Sequence, residues 1–116
     1  DTAGAKCSIS IGDGLLRGIL CNVLVCLAVW LAMSATDAAG KIIGTCLPVM
    51  LFVLCGYEHS VANMYFIPAG MLLSGDTGLV PGFLMNLIIV TLGNILGGAV
   101  IVGGGIYLLF VRPRRK

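Results

Sequence analysis

Glu58 and His59 stand side by side in the segment Gly56-Tyr57-Glu58-His59-Ser60, with long apolar runs before and after it. A carboxylate next to an imidazole can hold or pass a proton, because histidine changes charge near neutral pH without a large shift. At the centre of a membrane such groups cost roughly 2.5 to 3.5 kcal/mol each on insertion scales, and they mark pathways or proton relays by default. Ser60 is placed to N-cap a helix that follows it, accepting from the amide of Ala62 or Asn63. The positive end of that helix then points at the cluster, the arrangement by which broken transporter helices hold anionic groups. The plainer reading makes Glu58 and His59 a structural pair that ties a helix break to its neighbours.

Asn94, in Thr91-Leu92-Gly93-Asn94, lies inside a long apolar stretch. An asparagine at that depth needs a partner, either on another helix or in a wet pore, and on periodicity alone an interhelical hydrogen bond is the simpler outcome. The same holds for Asn22 and Asn63. Gly93, Gly97 and Gly104 form one stripe that contains a GxxxG match, which lets helices approach closely. The run Gly103-Gly104-Gly105 is expected to loosen or bend its helix. Cys7, Cys21, Cys26, Cys46 and Cys55 show no CxxC, and His59 is the one histidine, so no metal site is expected and the cysteines read as small hydrophobes. There is no Gly-x-Ser-x-Gly and no Walker loop, so the sequence gives no sign of an enzyme or of a cofactor.

The elements that must carry these residues are membrane helices. Of 116 residues 59% are apolar and 10% charged, with mean hydropathy +1.08, against about a quarter charged in an ordinary soluble domain. Disorder is excluded by the hydrophobicity. A net charge of +2 without basic and aromatic interleaving gives no basis for nucleic-acid binding. Residues 18–36 and 77–111 are free of charge, and about 20 apolar residues cross a bilayer, so spans are expected near 12–34 and 80–111. Pro81 suits the first turn of the last one. Between them, 42–56 and 61–73 are each too short to cross. Lipid cannot satisfy freed backbone groups, so they read as one discontinuous helix over 41–73, broken near 56–60 and facing protein or water. The expectation is an all-α membrane protein of three spans. Four basic residues in 112–116 place the C-terminus in the cytoplasm, with the 34–41 loop. The 74–79 turn and the N-terminal segment then fall outside, where Lys6 and Arg17 run against the rule.

The stretches 16–30 (Leu-Arg-Gly-Ile-Leu-Cys-Asn-Val-Leu-Val-Cys-Leu-Ala-Val-Trp) and 56–64 (Gly-Tyr-Glu-His-Ser-Val-Ala-Asn-Met), with Thr91-Leu92-Gly93-Asn94, resemble the formate/nitrite transporter family. The resemblance covers nearly the whole chain and the second half of a typical member. It implies a homopentamer with one pore per protomer, each protomer built from two inverted three-span halves in an aquaporin-like fold, with the second and fifth spans broken. The helix over 41–73 corresponds to the fifth. By resemblance His59 matches the pore histidine held to protonate or polarise a weak-acid anion, and Asn94 the pore asparagine near it. Lys6 matches a lysine held to draw anions into the vestibule, and Phe52 an aromatic at an apolar constriction. Glu58, Ser60 and Asn63 belong to the break.

The implied function is passage of a small monovalent anion (formate, nitrite or hydrosulfide) with proton exchange at His59, in a bacterial or archaeal plasma membrane. Two other readings compete: a membrane subunit that transports nothing, and a neutral-solute channel of aquaporin type, for which the Asn-Pro-Ala pair is missing. The chain opens on Asp1 without an initiator methionine, and a lone half would turn its polar face to lipid. A partial chain is therefore expected rather than an assembly of two such halves.

Overall fold

The computed structural model describes residues 2–112, all of it helix and short connections. A short helix α1 (Thr2–Cys7) precedes α2 (Ile11–Ser34), α3 (Ala38–Leu54), α4 (Ser60–Ser74) and α5 (Val80–Ile95), which one 3₁₀ turn (Thr77–Leu79) introduces. Beyond Ile95 the last helix widens to π-helical winding over Leu96–Gly103, returns to α for one turn at Gly104–Ile106, and widens again over Tyr107–Val111. Most of the basic tail, residues 113–116, lies outside the described residues. Two continuous helical stretches, Ile11–Ser34 and Thr77–Val111, are long and apolar enough to cross a membrane, while α3 and α4 are shorter apolar helices.

Each helix end has a local cause. Ser10 caps α2 by accepting from the amide of Asp13, and Asp37 caps α3 by accepting from Gly40. Pro81, in the first turn of α5, gives up an amide that has no helical partner there. Helix α3 closes in a Schellman motif: Gly56 takes φ +65°, its amide donates to Val53 O at 3.1 Å, and Tyr57 N donates to Phe52 O at 3.0 Å. That conformation is open to glycine and strained for other residues. The chain then runs extended through His59 into α4, so the interruption between α3 and α4 is a built structure.

Helix α2 is the central element, packed against both α3 and α5, while α1 lies across α4 and α5. The α2–α5 contact is close because glycines meet there. A Cβ on Gly18 would stand 2.9 Å from Val90 O and 3.2 Å from Gly93 Cα, and one on Gly97 would run into Ile19 O. The expected stripe is thus split. Gly93 and Gly97 sit at the contact, whereas a Cβ on Gly104 would meet nothing within 4 Å. The winding also loosens earlier than expected, at Leu96 instead of the triple-glycine run.

The burial pattern is inverted relative to a water-soluble domain. The buried apolar side chains are few and mostly small (Ala3, Cys21, Ala28, Ile67, Ile89 and Val90), and Glu58, Ser60, Asn63, Asn86 and Asn94 are buried with them. Leucine, isoleucine and phenylalanine side chains instead cover the outside of a slab 60 × 35 × 17 Å. Apolar surface on that scale needs lipid or protein against it.

Candidate functional site

The break between α3 and α4 is held from behind by Asn94. Its Nδ2 donates to Gly18 O at 2.9 Å and Glu58 O at 3.1 Å, and its Oδ1 accepts from both Ser60 N and Ser60 Oγ at 3.0 Å. One side chain on α5 thereby fastens the residues on either side of His59 and joins them to α2. Asn22 Nδ2 in turn donates to Asn94 O at 2.6 Å. Freed backbone groups away from water cost about 1–3 kcal/mol each if left unpaired, which is the physical reason for an asparagine here.

The cap of α4 corrects the sequence reading. Ser60 is the first residue of the helix and its hydroxyl turns to Asn94, while His59, with extended backbone at φ −115° and ψ 118°, is the N-cap. Its Nδ1 accepts from Val61 N at 3.2 Å. The Asn94 carboxamide displaced the expected arrangement by taking both the amide and the hydroxyl of Ser60. Two of the helix's orphan amides are therefore already paired inside the protein. Because Nδ1 accepts, the proton of the neutral ring resides on Nε2.

In front of the break a second set of bonds closes a ring. Lys6 Nζ donates to Glu58 Oε1 at 2.9 Å and Oε2 at 3.0 Å. Asn63 Nδ2 donates to Glu58 Oε2 at 2.6 Å and to Asn86 Oδ1 at 2.9 Å, and Asn86 Nδ2 donates to Lys6 O at 2.8 Å. Turning the Asn63 amide around would set its oxygen against the carboxylate, so its orientation is fixed. The consequence is that Asn63 Oδ1 is buried without a hydrogen-bond partner among the described residues. Glu58 therefore pairs with Lys6 and ties the break to α1.

The front ring borders a cavity of about 510 Å³, lined by residues of α1, α2, the break and the facing ends of α3 and α4. His59, Phe52, Lys6, Glu58 and Asn63 line it together, with the Phe52 and His59 rings 6.1 Å apart between centroids. Asn94 stands behind the break and is not part of the lining. Two residues of the site went unassigned on sequence. Asn86 closes the ring, and its only signal was an amide within an apolar run. Arg17 lines the cavity and directs Nη1 to Gly56 O at 3.4 Å. Sequence order alone put it near the outer face, whereas the fold brings it level with the break. All five cysteines are free, and the described residues hold no cluster of three or more His, Cys, Asp or Glu side chains.

The chain is similar to proteins of known kind. The "Probable formate transporter" of Methanothermobacter thermautotrophicus is 52% identical over 95 residues, which are 82% of this chain and 34% of that protein. The formate channel FocA of Escherichia coli K12 is 36% identical, the match covering 96% of this chain and 45% of that protein. A solved pentameric formate channel with formate bound superposes with a TM-score of 0.80 at 34% identity, over 95% of this chain and 50% of that one. The chain thus spans half or less of the relatives it matches. The formate/nitrite transporter model matches residues 1–108, so this chain belongs to the formate/nitrite transporter family, a family of integral membrane transporters and channels and not of enzymes.

Proposed function

We propose that this chain forms half of the pore of a transporter for small monovalent weak-acid anions such as formate, nitrite or hydrosulfide. The observation that carries the reading is the cavity at the α3–α4 break, where His59 and Phe52 share one wall. A bare anion is expensive in an apolar constriction, whereas the neutral acid is not. A group that shares a proton with the anion at the narrow point therefore lowers the barrier to passage. With Nδ1 engaged by Val61, Nε2–H is the part of His59 left to meet the anion. It donates a hydrogen bond to the anion, and transfer of that proton requires Nδ1 to release Val61 N and take a proton from water, after which loss of the Nε2 proton to the anion returns the ring to neutrality. Phe52 strips water next to it. Asn94 keeps the ring in place through Glu58 and Ser60, and Lys6 holds the Glu58 carboxylate away from the anion's path.

In this reading α3 and α4 form one broken span between two continuous ones, the second inverted half of a six-span aquaporin-like protomer. Five protomers ring together, as the solved neighbour's pentameric form suggests. The basic residues of 112–116 favour a cytoplasmic C-terminus in a bacterial or archaeal plasma membrane. Flux of formate, nitrite and hydrosulfide into proteoliposomes containing the intact protein tests the transport reading. Movement of none of the three would leave a structural membrane subunit, and movement of glycerol or water alone would leave a neutral-solute channel. Single cysteines at Ser74 and Lys116, labelled with an impermeant thiol reagent in intact cells, test orientation. Labelling of 116 but not 74 would reverse it.

A further inference from the structure

Two basic side chains line the cavity, and their electrostatic situations differ. The ammonium of Lys6 is matched by both oxygens of a buried carboxylate, and Lys6–Glu58 is the one ion pair among the described residues. Together they present almost no net charge to an approaching anion. Among the described residues Arg17 has no carboxylate partner. Asp13, one turn earlier on the same helix, forms no ion pair with it, and the one hydrogen bond from its guanidinium is the long contact to Gly56 O. His59 is uncharged while Nδ1 accepts from Val61.

We propose, on the transport reading above, that Arg17 is the residue that recruits the anion, the role that resemblance assigned to Lys6. Its position suits the task. The guanidinium stands at the carboxyl end of α3, where the freed carbonyl of Gly56 and the helix dipole favour a cation. A weakly held, exposed arginine beside a low-dielectric wall concentrates small anions at the mouth of the cavity. Its planar fork can engage a carboxylate or nitrite through two parallel N–H groups. Lys6 then acts as a positioning residue for Glu58 and, through the Asn63–Asn86 ring, for the front of the break. The division of labour is one locked cation and one available cation.

The experiment is initial formate uptake against concentration in proteoliposomes of the intact transporter, comparing wild type with Arg17→Gln and Arg17→Lys. The expected result for Arg17→Gln is a half-saturating concentration raised about tenfold, the lower end of what a focused field supplies, with maximal rate held within about twofold. Arg17→Lys should return it to within about threefold of wild type. Half-saturation unchanged in Arg17→Gln, or Arg17→Lys as impaired as Arg17→Gln, overturns the proposal. If Arg17→Gln does not assemble, wild type is compared at low and high concentrations of a salt with a bulky impermeant anion. Half-saturation must then rise with ionic strength, and a flat response overturns it. Wild type that moves no formate removes the transport reading itself, an outcome distinct from a silent Arg17 substitution.

Discussion

Lys6 Nζ donates to both carboxylate oxygens of Glu58 at 2.9 and 3.0 Å, joining residues 52 positions apart in the chain. The Lys6 side chain is 18% exposed and that of Glu58 5%. Removing one partner of such a pair leaves an uncompensated buried charge, worth about 3 kcal/mol at the lower end of measured cases. Glu58→Gln should therefore leave Lys6 stranded, and Lys6→Met should leave Glu58 stranded, each with a clear loss of thermal stability in detergent. The double variant should recover part of that loss. Additive losses in the double variant would show that the two side chains act independently.

His59 both caps α4 and borders the cavity, and two substitutions separate these roles. Asparagine is a good N-cap and does not titrate, so His59→Asn should keep stability within about 0.5 kcal/mol of wild type. Phenylalanine removes the acceptor for Val61 N and should cost about 0.5–2 kcal/mol. Both should flatten the pH dependence of flux. A wild-type pH profile in His59→Asn would exclude proton exchange at this residue.

Gly97 and Gly104 belong to the same sequence stripe but not to the same contact. An added methyl at Gly97 meets Ile19 O on α2, whereas one at Gly104 meets nothing within 4 Å. Gly97→Ala should disrupt the α2–α5 approach and reduce recovery of folded protein. Gly104→Ala should be neutral or gain up to about 1 kcal/mol from lower chain entropy. Thermal unfolding of the purified variants decides, and equal damage from both would mean that another surface covers Gly104.

The helical, membrane-embedded character of this chain was legible because it rests on long-range statistics, charge-free stretches and apolar length, that local detail cannot overturn. Gly56 to Ser60 stood out for the same reason, as a polar interruption in apolar sequence. What could not be read was who bonds to whom. Ser60 is an ordinary N-cap residue by type, yet Asn94, 34 positions away, takes its hydroxyl and leaves the cap to His59. Counting from the helix start places Arg17 at the periphery, because nothing in the sequence says that α3 ends beside it. Asn86 looked like any amide in a helix until Lys6 O and Asn63 were placed against it. Each of these misses is a tertiary hydrogen bond of large sequence separation.

The 116-residue segment by itself should not conduct. The cavity takes its walls from α1, α2, the break and the adjoining ends of α3 and α4, and α5 contributes none of the lining residues. The slab is 17 Å deep, too thin to place a second row of helices in front of that cavity. In lipid, Arg17, His59 and the freed backbone at Gly56 would then border hydrocarbon, which costs several kcal/mol per group unless water or protein intervenes. A facing polar wall must come from outside these residues. Expressed alone and purified in mild detergent, the segment should aggregate or give liposomes that pass no formate. Co-expression with a facing three-span unit from the same family should restore a monodisperse assembly and flux. A conducting, monodisperse preparation of the segment alone would mean that copies of this chain can wall the pore for one another.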